Sequence, residues 1–167
     1  NFSETTQFDE LETYDKLLDV ERIIQNPSDV AETTQQTTTF TFSDATAGYE
    51  VDRVQFKIKT GGTLDFVQLS GNIDDGAATL KWDGSLALSS TEFVTVDLPV
   101  RNIAASDTTS VYKDGTASTF TAALTGSFDI DKLYGDSSNE LSSLIVQLSS
   151  SSTVELKEIY LYKSAEW

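Results

Sequence analysis

The sequence predicts an all-β fold, an antiparallel two-sheet β-sandwich preceded by an N-terminal helical arm. Three observations carry that expectation. From Thr37 onward apolar residues alternate with polar ones at period two. Turn signals built on Gly and Asp divide the alternating stretches. Only one stretch, near the start, spaces its apolar residues as a helix does.

That stretch is Asp9 to Asn26. Leu11, Tyr14 and Leu18 recur at i, i+3 and i+7, with Leu17, Val20 and Ile24 beside them. Asp9 is placed to cap the start, with Glu12 three residues behind it as in a capping box. Asp9, Glu10 and Glu12 suit the positive end of a helix dipole. Asn26-Pro27 ends the run, because a residue before proline avoids the helical region. Residues 1–36 therefore read as an acidic helical arm and 37–167 as the sandwich domain.

The strands follow in order. Segment 37–42 opens the domain. Val54, Phe56 and Ile58 alternate with Gln55, Lys57 and Lys59. Segments 64–70 and 78–82 come next. Val94, Val96, Leu98 and Val100 form one face of a further strand, and Phe120, Ala122, Leu124, Phe128 and Ile130 one face of another. Leu144, Val146 and Leu148 alternate in the same way. One face to the core and one to water is the habit of antiparallel sheets. Gly61-Gly62, Asp74-Asp75-Gly76, Asp83-Gly84, Asp114-Gly115 and Gly135-Asp136 read as turns. In the last strand, 154–162, Val154 and Leu156 fall on one parity, Ile159 and Leu161 on the other, so a bulge is expected near Lys157-Glu158. The serine run Ser149 to Ser152 reads as a loop.

Composition excludes several kinds of chemistry. The 167 residues contain no Cys, His or Met. A thiolate zinc site, a disulfide, a cysteine nucleophile, a Ser-His-Asp triad and a histidine-metal cluster are all ruled out. The formal net charge is -16, from 27 acidic and 11 basic residues. Such a field argues against nucleic acid and anionic membrane as partners, since both demand clustered Lys and Arg. No apolar run approaches the roughly 20 residues of a membrane-spanning helix. The chain begins at Asn1 without a visible signal peptide, which reads as a mature or excised form. Ser and Thr together make 20 and 22, about a quarter of the chain, so the expected surface is hydroxyl-rich as well as acidic.

The strands Phe93-Val94-Thr95-Val96-Asp97-Leu98-Pro99, Phe128-Asp129-Ile130-Asp131-Lys132-Leu133, Leu144-Ile145-Val146-Gln147-Leu148 and Val154 to Tyr162 stand in an order that resembles the closing strands of galactose-binding-like carbohydrate-binding modules. The resemblance spans about 37–162 and implies a jelly roll. That family often holds a structural calcium through an Asp of its last strand. Here the matching stretch is Leu156-Lys157-Glu158, and a lysine cannot ligate a cation.

Candidate sites are few. Trp82 and Asp83, at a strand end, with Tyr112 and Tyr134 near turns, are the candidate glycan contacts: aromatic faces beside polar groups are what sugar rings stack on. The alternative for Trp82 is core packing, since it shares a face with Leu80. Asn72, Asp74 and Asp75 are candidate calcium ligands in an oxygen-rich loop. Asp129, Asp131, Asp136 and Glu140 match some EF-hand positions, but Tyr134 stands where that motif needs Gly. Both clusters read first as turn formers on a solvated surface, since an acid-rich chain brings Asp residues together by chance. No Glu lies in an apolar segment that would make it a general acid, so no enzymatic activity is expected.

Two classes of function compete. One is a structural, decorating or adhesion subunit on the exterior of a virion or cell-surface assembly, joined to neighbouring subunits through the 1–36 arm and in contact with surface polysaccharide. The other is a carbohydrate-binding module of a secreted hydrolase. Both place the chain outside the cell, with structural calcium as the one cofactor to consider. With so large a net charge, self-repulsion opposes the compact state and salt relieves it. The melting temperature is therefore expected to rise from low to molar NaCl; a flat profile refutes this.

Overall fold

The computed structural model describes residues 21–24, 30–42, 51–73, 76–100, 103–126, 128 and 140–163. Among these there are nine strands and no helix: β1 (Glu21–Ile24), β2 (Val30–Thr41), β3 (Val51–Thr60), β4 (Thr63–Ile73), β5 (Gly76–Ala87), β6 (Val94–Pro99), β7 (Thr108–Lys113), β8 (Thr116–Thr125) and β9 (Glu140–Lys163). Every pairing is antiparallel.

The 24 residues of β9 organise the rest. Its first half pairs with β4, from Asn72↔Glu140 to Leu64↔Leu148. Its second half pairs with β3, from Thr60↔Val154 to Val51↔Lys163. Along its other edge run β2 and then β1. Three long ribbons thus lie side by side: β1–β2, β9 and β3–β4. The sheet continues from β3 through β6, β7, β8 and β5 to β4, which rejoins β9. Seven strands, β3, β6, β7, β8, β5, β4 and β9, thus close a ring of pairings, a barrel-like sandwich, with the β1–β2 ribbon laid along the far edge of β9. Closure matters because an unpaired strand edge invites intermolecular pairing.

The core fills the interior as the alternation predicts. Val54, Phe56 and Ile58 of β3, Val94, Val96 and Leu98 of β6, and Leu144, Val146 and Leu148 of β9 are all buried. Asp114 and Gly115 have φ of 48° and 85°, joining β7 to β8. Two successive positive φ values are what a two-residue hairpin of right-handed twist requires, and Asp-Gly supplies them cheaply.

The structure departs from the sequence reading in five places. Residues 21–24, expected to complete a helix, form β1 instead, paired with 160–163 of β9; the remainder of the expected helix lies outside the described residues. β2 begins at Val30, ahead of the expected first strand. β7 was not anticipated, because only Val111 of its six residues is buried. Ser149 to Ser152 continue β9 rather than looping out. Asp83-Gly84 is not a turn: β5 runs through it, with a bulge where Leu64↔Leu86 gives way to Phe66↔Asp83. The expected bulge near Lys157-Glu158 is present, as two residues of β9 oppose Phe56 alone.

Gly84 shows why that position carries no side chain. A Cβ there would lie 2.6 Å from the buried Phe120 ring. Gly84→Ala should destabilise the fold by about 1–3 kcal/mol through overpacking, read as a fall of several degrees in melting temperature; an unchanged melt would show that Phe120 can yield.

Candidate functional site

The bulge in β9 sets the chemistry of one outer face. Val154 and Leu156 point inward, and so do Ile159 and Leu161. Strict alternation would have turned Tyr160 and Tyr162 into the core and Ile159 and Leu161 to water. The extra residue, Glu158 at φ 52°, reverses this parity. Tyr160 and Tyr162 stand outside as an edge-to-face pair with centroids 6.4 Å apart.

β3 and β6 supply polar groups beside them. The Arg53 guanidinium lies 4.1 Å from the centre of the Tyr162 ring. The Tyr162 hydroxyl donates to Gln55 Oε1 at 3.3 Å. Gln55 Nε2 in turn donates to Asp97 Oδ1 at 3.1 Å, and Arg53 Nε sits 3.6 Å from the same oxygen. Four side chains from three strands therefore fix one another. Tyr112, the exposed aromatic of β7 at 38% accessibility, is directly opposite Asp97.

Farther along the same face the residues become charged. Lys57 Nζ is 2.7 Å from Glu158 Oε2, and Lys59 Nζ is 3.2 Å from Glu155 Oε2. Lys59 and Lys157 both approach the Phe93 ring, at 5.0 and 3.9 Å from its centre. Three of the chain's 11 basic residues, Lys57, Lys59 and Lys157, gather here. A cavity of about 270 Å³ opens at this end, lined by Lys59, Thr60, Gly61, Ser90, Ser152, Thr153 and Glu155.

Of the expected glycan contacts, Trp82, Asp83 and Tyr112 lie among the described residues, and these three do not converge. Trp82 is fully buried between Val67 and Ala122, so it is a core side chain and offers no face to a sugar. The Leu80–Trp82 alternation that placed them on one face decides this. Its indole Nε1 has no hydrogen-bond partner. Asp83 lies on the outer side of β5, 3.5 Å from Lys81. It is opposite Thr121 of β8, whereas Tyr112 is opposite Ala117. Four residues of strand, about 13 Å, separate those rows. Tyr134, Asp74 and Asp75, along with Asp129, Asp131 and Asp136, lie outside the described residues. Asn72 is exposed at the end of β4. Among the described residues no three acidic side chains gather as a metal site would require.

The residues missed from sequence are Tyr160, Tyr162, Arg53, Gln55 and Asp97. A signal was there: a bulge at Lys157-Glu158, once expected, obliges the two tyrosines to face outward.

No protein-family profile matches the chain. No curated protein sequence matches it either. Among solved structures it is similar to a family 11 carbohydrate-binding module from Clostridium thermocellum, in complex with a β-1,3-1,4-mixed-linked tetrasaccharide. The two share 15% identity with a TM-score of 0.41, over 88% of this chain and 84% of that one.

The Lys57–Glu158 pair makes stability depend on pH. Its hydrogen bond to Lys57 holds the Glu158 carboxyl below its ordinary value, against a smaller opposing effect of desolvation. The same hydrogen bond raises Lys57. A carboxyl whose pKa is lower folded than unfolded stabilises above its unfolded value, and loses that effect as pH falls through the folded one. Lys57 loses its share only as pH rises through its raised value. Glu158→Gln should therefore melt below the wild type at neutral pH, with the gap closing in acid. A gap that persists undiminished in acid would show that the carboxylate charge is not what matters.

Proposed function

We propose that the chain is a non-catalytic glycan-binding module and that the outer face of β9, β3, β6 and β7 is its contact surface. The observation that carries this is the Tyr160–Tyr162 pair set beside Gln55, Asp97 and Arg53. Sugar rings offer apolar faces and a rim of hydroxyls. A ligand of that kind fits tyrosine rings flanked by an amide, a carboxylate and a guanidinium that already hold one another in place, because little order has to be gained on binding. Tyr112 adds a third ring across Asp97. The electrostatics suit binding better than hydrolysis. Glu158 is pushed down by Lys57, the opposite of the raised pKa a general acid needs. This is the carbohydrate-binding alternative of the sequence reading, moved from Trp82 to a different face. An extracellular place of work fits a polysaccharide ligand. The decorating-subunit reading rests chiefly on an arm whose first 20 residues lie outside those described.

The test is a glycan array probed with the full chain, with and without calcium. At least one glycan should bind, and Tyr162→Ala should weaken that binding tenfold or more, about 1.4 kcal/mol. Tyr162→Phe, which keeps the ring and loses the bond to Gln55, should cost less. Trp82→Ala is uninformative, since it empties the core. A blank array, or binding untouched by both Tyr160→Ala and Tyr162→Ala, would overturn the assignment.

A further inference from the structure

The cavity at the charged end of this face is built from parts that the tyrosine network does not use. Its lining includes Thr60, a polar residue only 2% exposed. The Thr60 hydroxyl accepts from Gly62 N at 3.2 Å, which leaves its own proton to be given elsewhere. One wall is the loop after β5. That loop is pinned: Thr60 N donates to Ser89 O at 2.8 Å, and Ser89 Oγ accepts from Thr91 N and Glu92 N, each at 3.2 Å. Ser90 is thereby held 3.4 Å from where a Cβ on Gly61 would stand. The opposite wall is β9, with Ser152 and Thr153.

Lys59 and Glu155 line the cavity as a half-buried ion pair, their side chains 31% and 26% exposed. This pair decides the class of ligand. A free anion would meet the Glu155 carboxylate, and a free cation would meet the Lys59 ammonium. A neutral polyhydroxyl satisfies both, with one hydroxyl accepting from Lys59 while its neighbour donates to Glu155. Charge-assisted hydrogen bonds of this kind are the stronger ones. The volume, about 270 Å³, falls just below the roughly 300 Å³ at which pockets begin to take drug-sized ligands, which suits one ring.

We propose that this cavity binds a single neutral sugar ring, the terminal residue of a glycan whose remainder lies on the tyrosine face. The proposal rests on the glycan-binding reading above. Arg53 and Lys59 are six residues apart on β3, about 20 Å at the strand rise, so the face is several rings long and the cavity stops one end of it. The module then recognises chain ends as well as chain interiors.

The experiment is an amide NMR titration of the uniformly labelled full chain with D-glucose, D-galactose and D-mannose in turn. Saturable shifts are expected at the amides of Gly61, Ser90 and Thr153 with at least one sugar. Ser90→Trp, a substitution on an exposed loop that fills the cavity, should weaken them at least tenfold. Tyr162→Ala should leave them in place. Spectra unchanged away from each substitution establish that the variants fold. Shifts confined to the amides of Tyr160 and Tyr162 overturn the cavity and leave the face assignment standing. Shifts at Gly61, Ser90 and Thr153 that survive Ser90→Trp also overturn it. Silence at both places, together with a blank array, overturns both readings.

Discussion

Glu158 stands at φ 52° within β9, and there one residue of β3, Phe56, faces two of its partner. Most of what the molecule shows on its tyrosine face depends on that extra residue. Side chains of a strand alternate strictly, so one inserted position exchanges inside for outside in everything beyond it. Ile159 and Leu161 enter the core because of it, and Tyr160 and Tyr162 leave. The non-glycine backbone is held in an unfavourable region by ladder pairing on either side, and the Glu158 carboxylate reaches Lys57 across the irregularity. Strain of this kind persists only where the surroundings over-determine it.

The same strand settles the architecture. A 24-residue strand is far longer than the usual five or six. It serves as a seam by entering both layers, with β4 along its first half and β3 along its second. The serines at its middle fit a place where a ribbon changes layers: small side chains, some exposed, with a shift in pairing on β2 between Gln35 and Thr37. The cavity lies at that crossing, so the end of the tyrosine face and the crossing of the seam are one feature.

Much of this was legible in the sequence, and the failures have physical causes. Period-two alternation placed the core residues of β3, β6 and the first half of β9 correctly, because burial on one face leaves a plain pattern. It also located the bulge. The same bulge sends Tyr160 and Tyr162 outward, a consequence that lay one step beyond locating it, and the aromatic singled out was Trp82 instead. Position beside an apparent turn drew attention to Trp82, yet Asp83-Gly84 is a bulge inside a strand and the indole is core. Ile24 fits a helical stripe locally, but pairing with β9 outweighs a weak local preference. β7 left almost no trace because it is short and only Val111 is buried. Arg53, Gln55 and Asp97 read as ordinary solvent-side residues of strands; only the closeness of β3, β6 and β9 makes them a network.

A seam that comes late in the chain has a consequence for how the molecule is made. Thr34 meets Thr153 across 119 residues of sequence. As a ribosome releases the chain, β1–β2 and β3–β4 emerge long before the strand that joins them. The hairpins β4–β5 and β7–β8 can form early, since their partners are neighbours in sequence. The outer edges of β3 and β4 wait without a partner until β9 arrives. Non-local pairing of this sort folds slowly and leaves sticky intermediates exposed meanwhile. An acidic, hydroxyl-rich surface is well suited to that interval: nascent chains carrying many like charges repel one another until closure hides their edges.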